Sequence, residues 1–423
     1  MSDATRRSLA DTLELDKRLF GMIIAFAVLC LVFQFQTGGT FLSARNIFNI
    51  SVQTVSVGIM ATGMVFVIVS RNIDLSVGSV LATCSALMGM LQTQWLVPVT
   101  GLGTGTTLVV SILLGLGVGT AMGAATGWMV GYQRIPSFIV TLGGLLIWRN
   151  VAWYTTNGQS VALRDPRLLA FGGTEGVMGP EWSWVLGGLA TLAAAAAVIA
   201  ARRGKMRHGF LVKPVWAEGL LVAMIAGGIL GFVALVNSYE IPVGKLKRMF
   251  EAQGMDVPEG YVAYHGLPIS VLILVAVAVA MTVIARKTRL GRYIYAIGGN
   301  PDAAELSGIN TRMMTVKIFA LMGFLCGLAA LVAQARLQSH GNDIGTLDEL
   351  KVIAAAVIGG TALAGGVGTI YGALLGALVM QSLQSGMAMI GVDTPFQNIV
   401  VGGVLIIAVW IDIFYRKRMG ERT

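Results

Sequence analysis

Charge is scarce in this sequence. Only 12% of its 423 residues are Asp, Glu, Lys or Arg, while 55% are hydrophobic and the mean hydropathy is +0.76. Soluble domains carry about 25% charged residues, so this chain has too little polar surface to cover a water-soluble fold. The composition excludes an ordinary soluble enzyme and predicts a protein that lies in a membrane.

Residue types that carry metal or redox chemistry are also rare. The three cysteines, Cys30, Cys84 and Cys326, lie inside apolar runs without pairing or metal spacing, and we interpret them as small core residues. Three histidines, His208, His265 and His340, lie far apart in loops. We therefore expect neither a metal site nor a bound cofactor in this chain.

The sequence also lacks the motif that would let the chain use ATP as an energy source. The sequence has no Gly-x-x-x-x-Gly-Lys-Ser/Thr phosphate loop, so the chain is not expected to hydrolyse ATP itself. Ionisable residues within apolar runs are limited to Asp74 and to Arg149 and Asp412, which lie near run ends and suit an interface position. This scarcity argues against an intramembrane enzyme and against a proton- or sodium-coupled carrier.

Long apolar runs dominate what is present. A helix needs about 20 apolar residues to cross the hydrocarbon core of a bilayer, and about twelve runs approach that length. They lie near residues 20–35, 49–69, 76–95, 107–130, 137–154, 182–201, 215–236, 267–285, 313–332, 350–363, 371–390 and 396–413. The sequence therefore predicts an all-α polytopic membrane protein that forms a single transmembrane domain over residues 1–423.

Basic clusters predict the orientation of these spans. They occur in the tail 1–19, at 202–208, at 286–292 and at the C-terminus. Because Lys and Arg are enriched on the cytoplasmic side of membrane proteins, both termini are expected in the cytoplasm. The same bias explains the net charge of +9 without a nucleic-acid partner. The loops 155–181, 237–266 and 334–349 should then face outward.

Two apolar runs are interrupted. The first interruption, RNIDLSVGS, contains Asn72, Asp74 and Ser76, and the second, GGTALAGGVGT, contains Gly365 and Gly366. Residues 67–79 align without gaps on 357–369, and interrupted helices at matching positions of two halves are typical of a transporter's translocation pathway. A short cytoplasmic turn, with Asp74 as the N-cap of the next helix, explains the first stretch equally well.

The basic segment 286–312 contains GGNPDAAELSGIN, which predicts a short capped helix. Asn300 suits the N-cap, Pro301 the first helical position, and Gly308 a left-handed C-terminal stop. A helix this short is unstable alone in water. It could be an ordinary surface helix, or it could dock into a groove on a partner, with candidate contacts at Gly299, Asn300, Ala303, Ala304, Ser307 and Gly308.

Four stretches in order, NIDLSVGS, PSFIVTLGG, GRYIYAIGGNPDAAELSGIN and IGGTALAGGVGT, closely resemble the permease subunits of bacterial ATP-binding-cassette importers of the ribose, galactose and xylose type. The resemblance covers essentially the whole chain. Two further stretches are most similar to the xylose branch, namely FLSARNIFNI and DTPFQNIVVGGVLIIAVWID. Relative to ribose-type members, residues 182–236 then look like two additional spans.

The resemblance implies several partners and a location. It implies a multi-pass permease of the bacterial inner membrane, present in two copies, that works with a cytoplasmic ATP-binding subunit and a periplasmic sugar-binding protein. ATP would be used by the partner subunit, which would contact the segment 298–308. An Asp precedes the two alanines there, which departs from the family pattern. The alternative is a secondary carrier or facilitator that moves sugar without an ATPase.

Overall fold

The computed structural model describes residues 17–418 apart from 102–103, 211, 252–253 and 259. Residues 1–16 of the predicted cytoplasmic tail 1–19, and residues 419–423 with Arg422, lie outside the described residues. The first part of the chain forms α1 (Lys17–Gln36), α2 (Ala44–Val69), α3 (Val77–Met90) with a π-helical turn at Leu91–Trp95, α4 (Val97–Thr100), α5 (Gly105–Gly131) and α6 (Ser137–Thr156).

The middle of the chain contains a peripheral helical hairpin between two irregular segments. Its elements are β1 (Val161–Ala162), α7 (Pro166–Leu169), a 3-10 turn (Ala170–Gly172), α8 (Gly179–Arg207), α9 (Val215–Asn237) and α10 (Val243–Glu251). In an 18-residue apolar stretch of each helix, only 6% of the residues of α8 and 11% of those of α9 are buried. The two spans that the resemblance marks as additional therefore lie at the outside of the helix bundle, where Val236 packs on Phe48 and Val52 of α2.

The last described part of the chain contains seven helices and one strand, and it includes a central helix of the bundle. It forms α11 (Ile269–Lys287), α12 (Arg289–Gly299), α13 (Pro301–Leu306), α14 (Thr311–Leu337), β2 (Ser339–His340), α15 (Asp348–Ile358), α16 (Ile370–Met389) and α17 (Thr394–Arg418). The strands β1 and β2 form one short antiparallel pair. The predicted spans coincide with helices, except that the run 350–363 is helical only as far as Ile358. Seven helices among the described residues are long and apolar enough to cross a membrane. The prediction of an all-α polytopic protein is confirmed.

The core is built around α2 and α14. In the corresponding 18-residue apolar stretches, 94% of the residues of α2 and 67% of those of α14 are buried. Close approach of α5 to α14 depends on glycine, because a Cβ on Gly119 or Gly123 would collide with backbone of Gly323 or Phe319. Small residues allow membrane helices to pack this closely, so the glycine-rich composition serves the central packing. Cys84 and Cys326 are buried in this core, and Cys30 is half-buried, as expected for small core residues.

Candidate functional site

Both predicted interruptions are present. The helix α2 ends at Val69 and α3 begins at Val77, while α15 ends at Ile358 and α16 begins at Ile370. With 11 residues, α15 is about 16 Å long at ~1.5 Å per residue, which is too short for a hydrocarbon core of about 30 Å. The residues 70–76 and 359–369 thus leave the helical path, as the sequence predicts.

The two interruptions contact each other through backbone. The amide of Gly366 donates a hydrogen bond of 2.9 Å to the carbonyl of Val69, at the end of α2. Gly365 and Gly366 have φ of +88° and +78°, a region that favours glycine. A Cβ on Gly365 would lie 2.5 Å from Cγ of Arg71. The glycines are required both for the turn and for this approach.

Arg71 connects the interruptions to the segment before α13. Its Nε donates to the carbonyl of Gly298 at 2.8 Å, and its Nη2 donates to that of Gly299 at 2.9 Å. A Cβ on Gly298 would collide with the carbonyl oxygen of Val69 and would lie 2.5 Å from the amide nitrogen of Gly366. We name the meeting point of these six residues, Val69, Arg71, Gly298, Gly299, Gly365 and Gly366, the glycine junction.

A second link runs from α12 to the same loop. The hydroxyl of Tyr295 donates to the carbonyl of Gly368 at 2.7 Å. Burial raises the pKa of Tyr295 above the ordinary value for a phenol, so this donor stays protonated at neutral pH. The loop 359–369 is therefore held by α12 at two places, the glycine junction and Tyr295.

The helix α13 has the predicted caps. Oδ1 of Asn300 accepts from the amide of Ala303 at 3.0 Å, and Pro301 occupies the first turn. Gly308 has a φ of +83°. Its amide donates a hydrogen bond to the carbonyl of Glu305, and the amide of Ile309 donates one to the carbonyl of Ala304. This pair of bonds is the Schellman arrangement that ends helices at a left-handed residue. The predicted N-cap and C-terminal stop are both confirmed.

The two alanines of α13 have different surroundings. Ala303 and Ser307 are exposed, whereas Ala304 is only 4% exposed and packs in the protein's own core. Leu306 was not among the candidate contacts, although 90% of its surface is exposed. It shares the exposed surface of α13 with Ala303 and Ser307, so a partner that docks on this helix would bury it. Its position in the sequence, just before the predicted stop at Gly308, could have indicated it.

The polar residues of the first interruption bond locally. Asn72 donates from Nδ2 to the carbonyl of Ser70, and Oδ1 of Asp74 accepts from the amide and the hydroxyl of Ser76 at 2.8 and 2.6 Å. The N-cap position of α3 is held by Ser76, so the prediction of Asp74 as N-cap is wrong. Asp74 instead closes a turn that precedes the helix, because its carboxylate reaches the amide two residues ahead.

The structure thus joins two sets of predicted residues that are distant in sequence. Gly365, Gly366 and Gly299 meet at the glycine junction, and Asn300 follows directly as the cap of α13. Asp74 and Ser76 are not part of the glycine junction. They follow it in the first interruption, next to Ile73, whose carbonyl accepts a hydrogen bond from the hydroxyl of Thr141 in α6. Sequence reasoning missed Arg71 as a site residue, although an arginine directly after an apolar run is a visible feature.

Comparison with known proteins agrees with this architecture. A family model described as branched-chain amino acid transport system / permease component matches residues 46–409. The xylose transport system permease protein of Haemophilus influenzae is 37% identical over 402 residues, which covers 95% of this chain and 98% of that protein. The ribose import permease protein of Escherichia coli is 31% identical over 396 residues, 94% of this chain and 92% of that protein.

The xylose transport system permease protein of Escherichia coli is also 37% identical, over 414 residues that cover 96% of this chain and 94% of that protein. No solved structure matches this chain. Because the family model spans most of the chain and these relatives align over nearly their whole length, the protein belongs to the family of transport-system permease components.

Proposed function

We propose that this chain is the membrane permease subunit of an ATP-driven monosaccharide importer of the bacterial inner membrane, with D-xylose as its substrate. Support for a sugar comes from relatives whose names state xylose or ribose transport, of which the two xylose permeases described above are 37% identical. The family description names branched-chain amino acids instead, so L-leucine serves as the competing substrate in the test below.

The observation that carries the proposal is the position of α13. It is a short helix with exposed Ala303, Leu306 and Ser307, and it begins directly after the two carbonyls that Arg71 holds. A displacement of α13 would act on the end of α2 and on the loop 359–369, because a Cβ on Gly298 or Gly365 would already collide with neighbouring atoms. Packed elements of this kind move as units and not by gradual deformation. This is the arrangement that an ATP-binding partner needs in order to drive a permease.

Further partners follow from the same proposal. A second permease copy and surrounding lipid would cover the apolar surfaces that α6, α8 and α9 expose. A periplasmic sugar-binding protein would dock on the segments 157–178 and 238–268, which pack together through the ion pair of Lys245 with Glu175 at 3.2 Å. Both termini would lie in the cytoplasm, on the same side as the glycine junction and α13.

The test is reconstitution in proteoliposomes with an ATP-binding subunit and a sugar-binding protein from the same organism. We expect uptake of D-xylose that requires ATP and both partners, and weaker or no uptake of L-leucine. The permease alone should neither hydrolyse ATP nor move sugar. Sugar uptake by the chain alone would identify a facilitator, and preferential uptake of L-leucine would overturn the sugar assignment.

A further inference from the structure

A polar cavity lies at the end of α2 that is distant from the glycine junction. Its volume is about 430 Å³, and it is formed by the first turns of α2, the last turns of α16 and the start of α17. This volume falls in the range of about 300–1,000 Å³ that is usual for small-molecule sites. Six carboxamide side chains line it, those of Asn46, Asn49, Gln53, Gln381, Gln384 and Gln397. We name it the carboxamide cavity.

Part of this lining is held in place by hydrogen bonds. Nε2 of Gln381 donates to Oε1 of Gln53 at 2.7 Å, and the hydroxyl of Ser385 donates to Oδ1 of Asn46 at 2.9 Å. The side chains of Asn49 and Gln384 have no hydrogen-bond partner within the described part of the chain. Two complete carboxamides, each with two N–H donors and one carbonyl acceptor, are thus available to a ligand.

The carboxamides reach well into the bundle. Gln53 lies nine residues after the start of α2, and Gln381 lies eight residues before the end of α16, or about 12–14 Å along each helix at ~1.5 Å per residue. Burying a carboxamide against lipid without a hydrogen bond is costly. Six of them at one place in otherwise apolar helices indicate a chamber that holds water or a polar ligand.

The chemistry of the lining selects a class of ligand. None of the described residues that line the cavity is charged. A zwitterionic amino acid would need counter-ions for its carboxylate and ammonium groups once they leave water. A sugar is neutral, and each of its hydroxyls donates one hydrogen bond and accepts others, as a carboxamide does. The uncharged, donor- and acceptor-rich lining therefore fits a polyol.

We propose that the carboxamide cavity is a monosaccharide-binding subsite of the permease, with Asn49 and Gln384 as ligand contacts. The inference rests on the proposed sugar-import function and adds to it a place in this chain where the sugar binds. By the predicted orientation the cavity opens on the outward side, where a docked binding protein would release its sugar.

The first test is uptake by the reconstituted transporter. The variants Asn49→Leu and Gln384→Leu and their double variant remove the free carboxamides, while Gln94→Leu removes an exposed carboxamide outside the cavity and serves as the matched control. We expect D-xylose uptake to fall about tenfold in the double variant, equivalent to ~1.4 kcal/mol. The control should stay near wild type, and pull-down of the ATP-binding subunit should be unchanged in all of them.

A second test does not depend on the transport cycle. In a Cys30→Ser background, where the remaining Cys84 and Cys326 are buried, the variant Ala388→Cys, at a lining residue that is not a proposed ligand contact, is labelled with a maleimide. We expect D-xylose, and not L-leucine, to slow the labelling, because bound sugar would cover this position. Absence of protection together with normal uptake by the double variant would overturn the subsite.

The possible failures are distinguishable. If the wild-type assembly does not take up sugar, the proposed function fails with the subsite. If wild type transports sugar but the cavity variants transport normally, the subsite alone is wrong. If the variants separate two permease copies and labelling is insensitive to sugar, the cavity is a contact between copies, and the subsite is again wrong.

Discussion

The two ends of α2 are built in opposite ways. At one end, carboxamide side chains line an open cavity of about 430 Å³. At the other end, glycines bring backbone against backbone, and the guanidinium of Arg71 donates to the carbonyls of Gly298 and Gly299. Between them α2 runs for 26 residues, about 39 Å at ~1.5 Å per residue.

This difference assigns a separate task to each end. Side chains with free hydrogen-bonding groups and space around them can receive a ligand. Backbone segments without space between them cannot adapt, so they transmit displacement from one element to the next. A helix that is buried over nearly all its length connects the two ends as one rigid element. The five predictions that follow test this comparison, in order of decreasing expected effect.

The largest effect is expected at Gly298. In Gly298→Ala, the new Cβ would collide with backbone of Val69 and Gly366, whereas Gly299→Ala meets nothing within 4 Å. Because overpacking costs ~1–3 kcal/mol per site, we expect uptake to fall roughly 100-fold in the first variant and to stay near wild type in the second. Uptake is normalised to permease abundance in the membrane. Equal uptake by the two variants would mean that close backbone contact at this end is not needed.

Substitution of Arg71 tests whether the guanidinium of this residue holds the glycine junction together. Arg71→Leu removes two hydrogen bonds from a charged donor, and bonds of this kind contribute ~1.5–3 kcal/mol each. We expect ATP hydrolysis that no longer responds to the loaded binding protein, with the ATP-binding subunit still attached. Arg71→Lys, which cannot reproduce the forked geometry, should recover only part of the response. Full coupling in Arg71→Leu would contradict a role for the side chain.

The exposed face of α13 is tested by a pair of neighbouring residues. Ala303→Trp places bulk on the exposed face, while Ala304→Trp places it in the protein's own core. We expect the first variant to reach the membrane but to lose the ATP-binding subunit in a pull-down, and the second to be less abundant. Leu306→Ala should weaken the same pull-down about tenfold, since burying a Leu side chain at an interface stabilises the complex by ~1.5–3 kcal/mol and alanine would lose most of that. Normal binding by Ala303→Trp and Leu306→Ala would locate the contact elsewhere.

A smaller effect is expected on the proposed outward surface. Lys247 and Arg248 of α10 are exposed, and reversing both charges should weaken docking of the sugar-binding protein by about three- to fivefold at low salt. The loss should shrink as ionic strength rises, because exposed charges are screened. Binding of the purified partner to permease in nanodiscs provides the measurement. Labelling that places α10 in the cytoplasm would refute both the docking surface and the orientation.

The smallest effect is expected on stability at the carboxamide end. Gln381→Leu removes the hydrogen bond to Gln53, and side-chain hydrogen bonds between membrane helices average ~0.6 kcal/mol. We expect only a slight decrease in thermal stability, measured by the loss of monodisperse protein on heating in detergent. A large decrease would show that this end is a structural clamp like the glycine junction, which would remove the contrast between the two ends.

Much of the fold follows from local physics and could be predicted from the sequence. The apolar runs predict the helices because each span satisfies its own backbone groups. The caps of α13 depend on Asn300 and Gly308, which act within a few residues of chain, and both predictions are confirmed. The interruption after Ile358 is equally local, since a glycine-rich stretch cannot continue a helix.

Contacts between distant residues could not be predicted in this way. The bond from Gly366 to Val69 and the bonds from Arg71 to Gly298 and Gly299 join residues more than two hundred positions apart. The same limit applies to the carboxamide cavity, whose residues come from both ends of the sequence.

The sequence by itself therefore determined the apolar helices, the two interruptions and the capped helix α13, because helix formation and capping involve neighbouring residues. Only the tertiary structure decided that both interruptions meet before α13, that Ala304 faces inward while Leu306 faces out, and that six scattered carboxamides enclose one cavity. These features depend on how helices pack against each other, and packing is set by the shapes of surfaces that no single stretch of sequence contains.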